Sequence, residues 1–72
     1  IAIWPYPGAI GLQEKFEDLQ QIHVVHNWCY LGSSTTLAQA RKLGKAAAGF
    51  DADGYKILCR PILAEELPIV PL

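Results

Sequence analysis

Seventy-two residues, 51% hydrophobic, with six basic against seven acidic side chains and a formal net charge of −1, allow one domain. A chain this short buries only about 60% of its unfolded surface, so its core is marginal and some apolar surface is expected to pack outside the chain. The charge balance is not that of an autonomous nucleic-acid binder, no run approaches the roughly 20 apolar residues of a membrane span, and no signal-peptide pattern opens the chain.

In chain order, Ile1–Trp4 reads as a strand that stops at the turn Pro5-Tyr6-Pro7-Gly8. Ala9–Lys15 resumes as a second strand. A four-residue loop pairs Trp4 with Ala9, Ile3 with Ile10, Ala2 with Gly11 and Ile1 with Leu12. One face of this hairpin is branched; the other, made of Ala2, Ala9 and Gly11, is small enough to let a neighbour lie close. Glu14–Gln20 is charged and reads as a surface link pinned by Phe16 or Leu19.

Gln21–Gly32, QIHVVHNWCYLG, is the most β-prone run of the chain. A turn at His26-Asn27 pairs Val25 with Trp28, Val24 with Cys29, His23 with Tyr30 and Ile22 with Leu31. Alternation then puts Ile22, Val24, Cys29 and Leu31 on a core face. His23, Val25, Trp28 and Tyr30 form an aromatic face that needs a cover or a partner.

Thr36-x-x-Gln39 has capping-box spacing and opens a short helix, Leu37–Leu43, with Gly44 as its C′ residue. Leu37, Ala40 and Leu43 face the core and Arg41 and Lys42 face out. The alanine-rich Lys45–Gly49 adds a turn or simply connects. For Tyr55–Arg60 two readings compete. As a helix, Asp51 caps it, Tyr55, Leu58, Cys59 and Ile62 form its apolar stripe, and Pro61 kinks or ends it; as a strand, Tyr55, Ile57 and Cys59 share a face. The stripe and the acidic start favour the helix. Residues 67–72, with two prolines, read as an extended or disordered tail.

Little in the sequence carries chemistry. His23-x-x-His26-x-x-Cys29 has the look of metal-ligand spacing, but the hairpin turns His23 and Cys29 to opposite faces and zinc needs three or four converging ligands. Asp51-x-Asp53-Gly54 opens like a calcium loop yet lacks the later ligands, and helix capping explains it. Cys29 and Cys59, without CxxC spacing, read as two buried reduced thiols ahead of a disulfide or a metal pair, which suits a cytoplasmic compartment. No catalytic constellation, metal site or cofactor site is legible. The residues with binding character are Arg41, Lys42, Lys45 and Arg60, with Lys56 on the same basic edge, and the rings of Trp28 and Tyr30, a set of cations and stacking surfaces suited to single-stranded DNA. The bland reading is a solvated helix face and an aromatic face buried against a neighbour.

Three blocks carry a resemblance: Trp4–Leu12 (WPYPGAIGL), Asn27–Gly32 (NWCYLG) and Gly49–Leu63 (GFDADGYKILCRPIL). From about Trp4 to about Leu63 the chain resembles the C-terminal portion of UvrC-like excinucleases of the Cho type. It is equally similar to the tail of bacterial DNA polymerase III epsilon-like exonucleases fused to a GIY-YIG nuclease domain. The resemblance implies a parent chain that cuts or proofreads DNA, with its nuclease domains as partners of this one. Neither a GIY…YIG pair nor an exonuclease Asp-x-Glu is present, so no catalytic residue carries over. The chain opens at Ile1 and has no methionine, which reads as a piece of a longer protein.

The resulting expectation is an α+β fold: a four-stranded antiparallel sheet of two consecutive hairpins, followed by one or two short helices. Residues 1–66 form a single accessory C-terminal domain that is not itself an enzyme and helps to position a DNA-repair nuclease or its DNA. The alternative is a protein-interaction or homodimerisation module that docks through the Trp28/Tyr30 face without touching DNA. Neither reading involves a membrane.

Overall fold

Three consecutive β-prone segments fold back on each other through two-residue turns. In the computed structural model, which describes residues 2–46 and 52–72, β1 (Ile10–Phe16), β2 (Leu19–His26) and β3 (Cys29–Ser34) form an antiparallel meander. Helices α1 (Leu37–Leu43) and α2 (Ala52–Leu63) follow, and β4 (Ile69–Pro71) returns to pair with β1. The sheet order is β3-β2-β1-β4. This is the α+β class anticipated, a four-stranded antiparallel sheet with two helices, but its fourth strand comes from the other end of the chain.

The segment expected to form the first strand is irregular over residues 2–9, and Ile1 lies outside the described residues. The outer edge of β1 is taken instead by residues 69–71, in the register Ile10↔Pro71, Gly11↔Val70 and Leu12↔Ile69. The amide of Gln13 donates to the Pro68 carbonyl at 2.9 Å and that of Leu72 to Ala9 at 3.1 Å. Prolines argue against a central strand but not an edge strand, where no further neighbour asks for their missing N–H. The charged stretch read as a surface link is also strand. β1 and β2 run to the pair Phe16↔Leu19 around a Glu17-Asp18 turn, and Phe16 and Leu19, 71% and 73% exposed, pin nothing.

The second turn sits one residue later than its polar pair suggests. Asn27 and Trp28 are its central residues, at φ 50° and 64°, the left-handed conformation that a two-residue type I′ hairpin requires twice. His26 therefore pairs with Cys29 and Val25 with Tyr30. A bulge between Val24 and Val25 then makes Leu31 the extra residue, so that Val24 meets Gly32 and Ile22 meets Ser34. A bulky residue at positive φ is strained, at a cost on the order of 1–3 kcal/mol. What holds Trp28 there is burial of its indole, only 2% exposed.

Alternation along β2 feeds two cores, one on each face of the sheet. On one face Ile22 and Val24 pack with Ala40 of α1, joined by Leu31, Leu37, Leu43, Ala9 and Leu72. On the other, Val25 joins Ile10, Leu12, Trp28 and Ile62, with Tyr55, Leu58 and Cys59 of α2 against them. The expected core face holds for Ile22, Val24 and Leu31, while Cys29, shifted by the turn and bulge, belongs to neither cluster.

Both helices lie where their local signals put them. Thr36 caps α1, its Oγ1 accepting from the Gln39 amide at 3.3 Å. Gly44 does not take the left-handed C′ role: its φ is −65°. Its small size matters instead, because a Cβ there would stand 3.0 Å from that of Ala9. In α2 the Tyr55, Leu58, Cys59 and Ile62 stripe faces the core and the strand reading falls away; the Asp51 cap and residues 47–50 lie outside the described residues. Pro61 sits inside α2 near its end. The helix closes with Glu65 at φ 52°, its amide donating to Ile62 and that of Glu66 to Pro61, the two bonds of a Schellman ending.

Candidate functional site

The six residues singled out by the sequence are not brought to one place. Trp28 is interior. Its ring meets Trp4 edge-on at 5.1 Å and Tyr55 at 4.8 Å. Its Nε1 donates to the Ala2 carbonyl at 3.1 Å, while the Ala2 amide donates to the Tyr55 hydroxyl at 3.0 Å. The cover that the aromatic face required is thus supplied from within the chain, by α2 and the N-terminal segment. Trp28 is not an exposed stacking ring in the folded domain.

Tyr30 remains at the surface, 49% exposed, on the α2 side. Its hydroxyl is 3.1 Å from His23 Nδ1, and His23 Nε2 is 3.3 Å from Glu14 Oε1. The expected His23–Tyr30 proximity survives the bulge as a diagonal contact; the directly opposed residue is Ser33. Beside this pair lies an apolar hollow of about 470 Å³, walled by Leu12, Ile57, Leu58, Pro61 and Leu67. Sequence reading missed it. Its one signal is Ile57, an isoleucine outside the helical stripe and 73% exposed.

Arg60, exposed on α2, faces Glu66 at 3.4 Å. An ion pair this open to solvent contributes little. Lys56 is also exposed on α2.

Arg41 and Lys42, by contrast, are exposed on α1, and Lys45 on the turn that follows it. α1 covers the opposite face of the sheet from α2, so these three do not join Lys56 and Arg60 in one basic edge. Lys42 has different company. Ser33, Ser34, Gln39, Lys42, Leu43 and Ala46 line a second hollow of about 470 Å³ between α1 and the β3 end. Ser33 accepts from Gln21 Nε2 at 2.9 Å, and Ser34 is bonded to Thr36 in both directions. From Asn27 to Ala46 the sequence has three cations and no carboxylate. With both serine hydroxyls engaged within the chain, the exposed Gln39 amide and the exposed cations of α1 and its following turn are the groups suited to phosphate oxygens.

Among the described residues, no group of three or more His, Cys, Asp or Glu side chains is placed to hold a metal ion. Cys29 and Cys59 are free thiols, each half-buried. No helix of the described residues is long and apolar enough to cross a membrane.

The family model described as the excinuclease Cho C-terminal domain matches residues 9–72, and the chain belongs to that family. Over all 72 residues it is 43% identical to excinuclease Cho of Escherichia coli O6:H1, and 42% identical to those of Salmonella typhi and Shigella flexneri. The match covers 24%, 25% and 24% of these relatives. The chain therefore spans about a quarter of the length of the curated relatives it matches. The alternative resemblance, to polymerase III epsilon fusions, finds no support among these relatives. No solved structure matches the chain significantly.

Proposed function

We propose that this chain is a single, non-catalytic accessory domain of a DNA-repair excinuclease, and that it helps to position the nuclease domains or their DNA. The observation that carries the DNA half of this reading is the exposed cation group of α1 and its following turn, Arg41, Lys42 and Lys45, in a sequence stretch from Asn27 to Ala46 that holds no carboxylate, with Lys42 beside Gln39 at a surface hollow. The relatives, excinucleases by name, supply the context. With Trp28 interior and Tyr30 on the other face, that surface offers phosphate contacts and no stacking ring. Its binding is sequence-independent and electrostatic.

The test is fluorescence anisotropy of labelled duplex DNA with the full chain across a salt series. Three neutralised phosphates give a slope of about −2.7 in log K against log salt. Binding that is absent at low salt, or that ignores salt, rejects this reading in favour of a domain that touches only protein.

A further inference from the structure

One part of the fold projects beyond the layers that hold the rest together. β3 pairs with β2 only from Ile22 onward, and β4 reaches β1 only at Ile10–Leu12. Among the described residues, Glu14–Gln21 is thus a ribbon of two strands with no third strand on either side. Such ribbons are marginal by themselves in water. This one carries the opposed pair Phe16 and Leu19 at its tip, more than 70% exposed each.

Strand alternation places that pair on the same face as Leu12 and His23, the face that holds the hollow walled by Leu12, Tyr30, Ile57, Leu58, Pro61 and Leu67. An apolar knob and an apolar socket share one side of the molecule. The knob is acidic, with Glu14, Glu17 and Asp18 against one cation, Lys15, while on α2 the exposed cations Lys56 and Arg60 flank Ile57, with Asp53 on the same helix and Glu66 held by Arg60 at 3.4 Å.

We propose that a second copy of this chain occupies this face, the Phe16–Leu19 tip of each copy seated in the other's hollow. A two-fold axis makes the contact reciprocal: each knob meets a socket, and each acidic turn meets the basic side of α2 rather than the other acidic turn. Glu17 and Asp18 then lie beside Lys56 and Arg60 of the other copy, replacing the loose Arg60–Glu66 pair. The carboxylates at the tip disfavour DNA as the occupant. The pairing is independent of the DNA reading, because α1 lies on the opposite face and stays open.

Sedimentation equilibrium of the full chain over a range of concentration and salt tests this directly. The expected result is a monomer–dimer equilibrium weakened by salt. Phe16→Ser with Leu19→Ser should weaken it at least about tenfold, with an unchanged circular dichroism spectrum because both side chains are exposed. Glu17→Lys and Arg60→Glu should each weaken self-association, and mixing the two variants should restore dimers, since both contacts in the mixed pair are again between opposite charges. A chain that stays monomeric overturns the proposal and leaves the tip to another protein or to DNA. A dimer unmoved by the Phe16 and Leu19 changes overturns it as well, as does a mixture that gains nothing over its components.

Discussion

The two faces of the sheet are built from different materials. The α2 face is aromatic: Trp4, Trp28 and Tyr55 meet edge to face over Ile10, Leu12, Val25 and Ile62. The α1 face is aliphatic and has no ring in its cluster, its leucines closing over tight backbone contacts at small residues: Ala40 against Ile22 and Val24, Ala9 against Gly44, and Gly11 under Ile22. Large rings bury more area per residue and tolerate an irregular cover such as the N-terminal segment. Close backbone approach suits a helix of two turns whose outer surface must stay polar. The comparison separates two tasks: stability is concentrated under α2, and the candidate phosphate contacts lie over α1.

The largest expected effect tests that division. Trp28→Ala removes the ring that joins β3, α2 and the backbone of Ala2, and should cost about 3–5 kcal/mol. In a domain of this size that is most of the available stability, so urea titration should show a chain largely unfolded in water. The surface reading of Trp28 implies instead lost association with an intact fold. Gly11→Ala probes the other face: its Cβ would fall 2.6 Å from Ile22 Cγ2, on a stiff β-branched residue with no exposed area. An overpacking cost of about 1–3 kcal/mol follows, read from the urea midpoint. Charge reversal at Arg41 or Lys42, both exposed, should barely move that midpoint.

What was legible in the sequence was local. The Thr36 cap and Gln39 fix α1 at Leu37–Leu43 within one turn of chain, and the Tyr55, Leu58, Cys59 and Ile62 stripe identifies α2 against its strand alternative. The family blocks were equally plain. What escaped depends on residues distant in sequence. Whether residues 1–4 or 69–71 line β1 is a competition between chain ends, and Pro5 and Pro7 on one side and Pro68 and Pro71 on the other do not decide it locally. The turn at Asn27-Trp28 runs against turn propensity, since tryptophan at positive φ is stable only with Tyr55 and Trp4 waiting to enclose it. That enclosure also decided the fate of the candidate site. Helical spacing was enough to group Arg41, Lys42 and Lys45, but nothing near Trp28 in sequence shows that α2 covers it, or that α2 carries Arg60 to the far side of the sheet.

The most direct test of the separation is a face-by-face comparison of DNA binding. Arg41→Glu/Lys42→Glu on α1 and Lys56→Glu/Arg60→Glu on α2 change net charge equally and should leave the fold intact. Duplex affinity of each full chain at low salt, measured by anisotropy, should fall steeply for the α1 pair and much less for the α2 pair, with the salt slope reduced by about 1.8 only for α1. Equal losses from both pairs, or a larger loss from the α2 pair, would contradict a DNA-facing α1 surface.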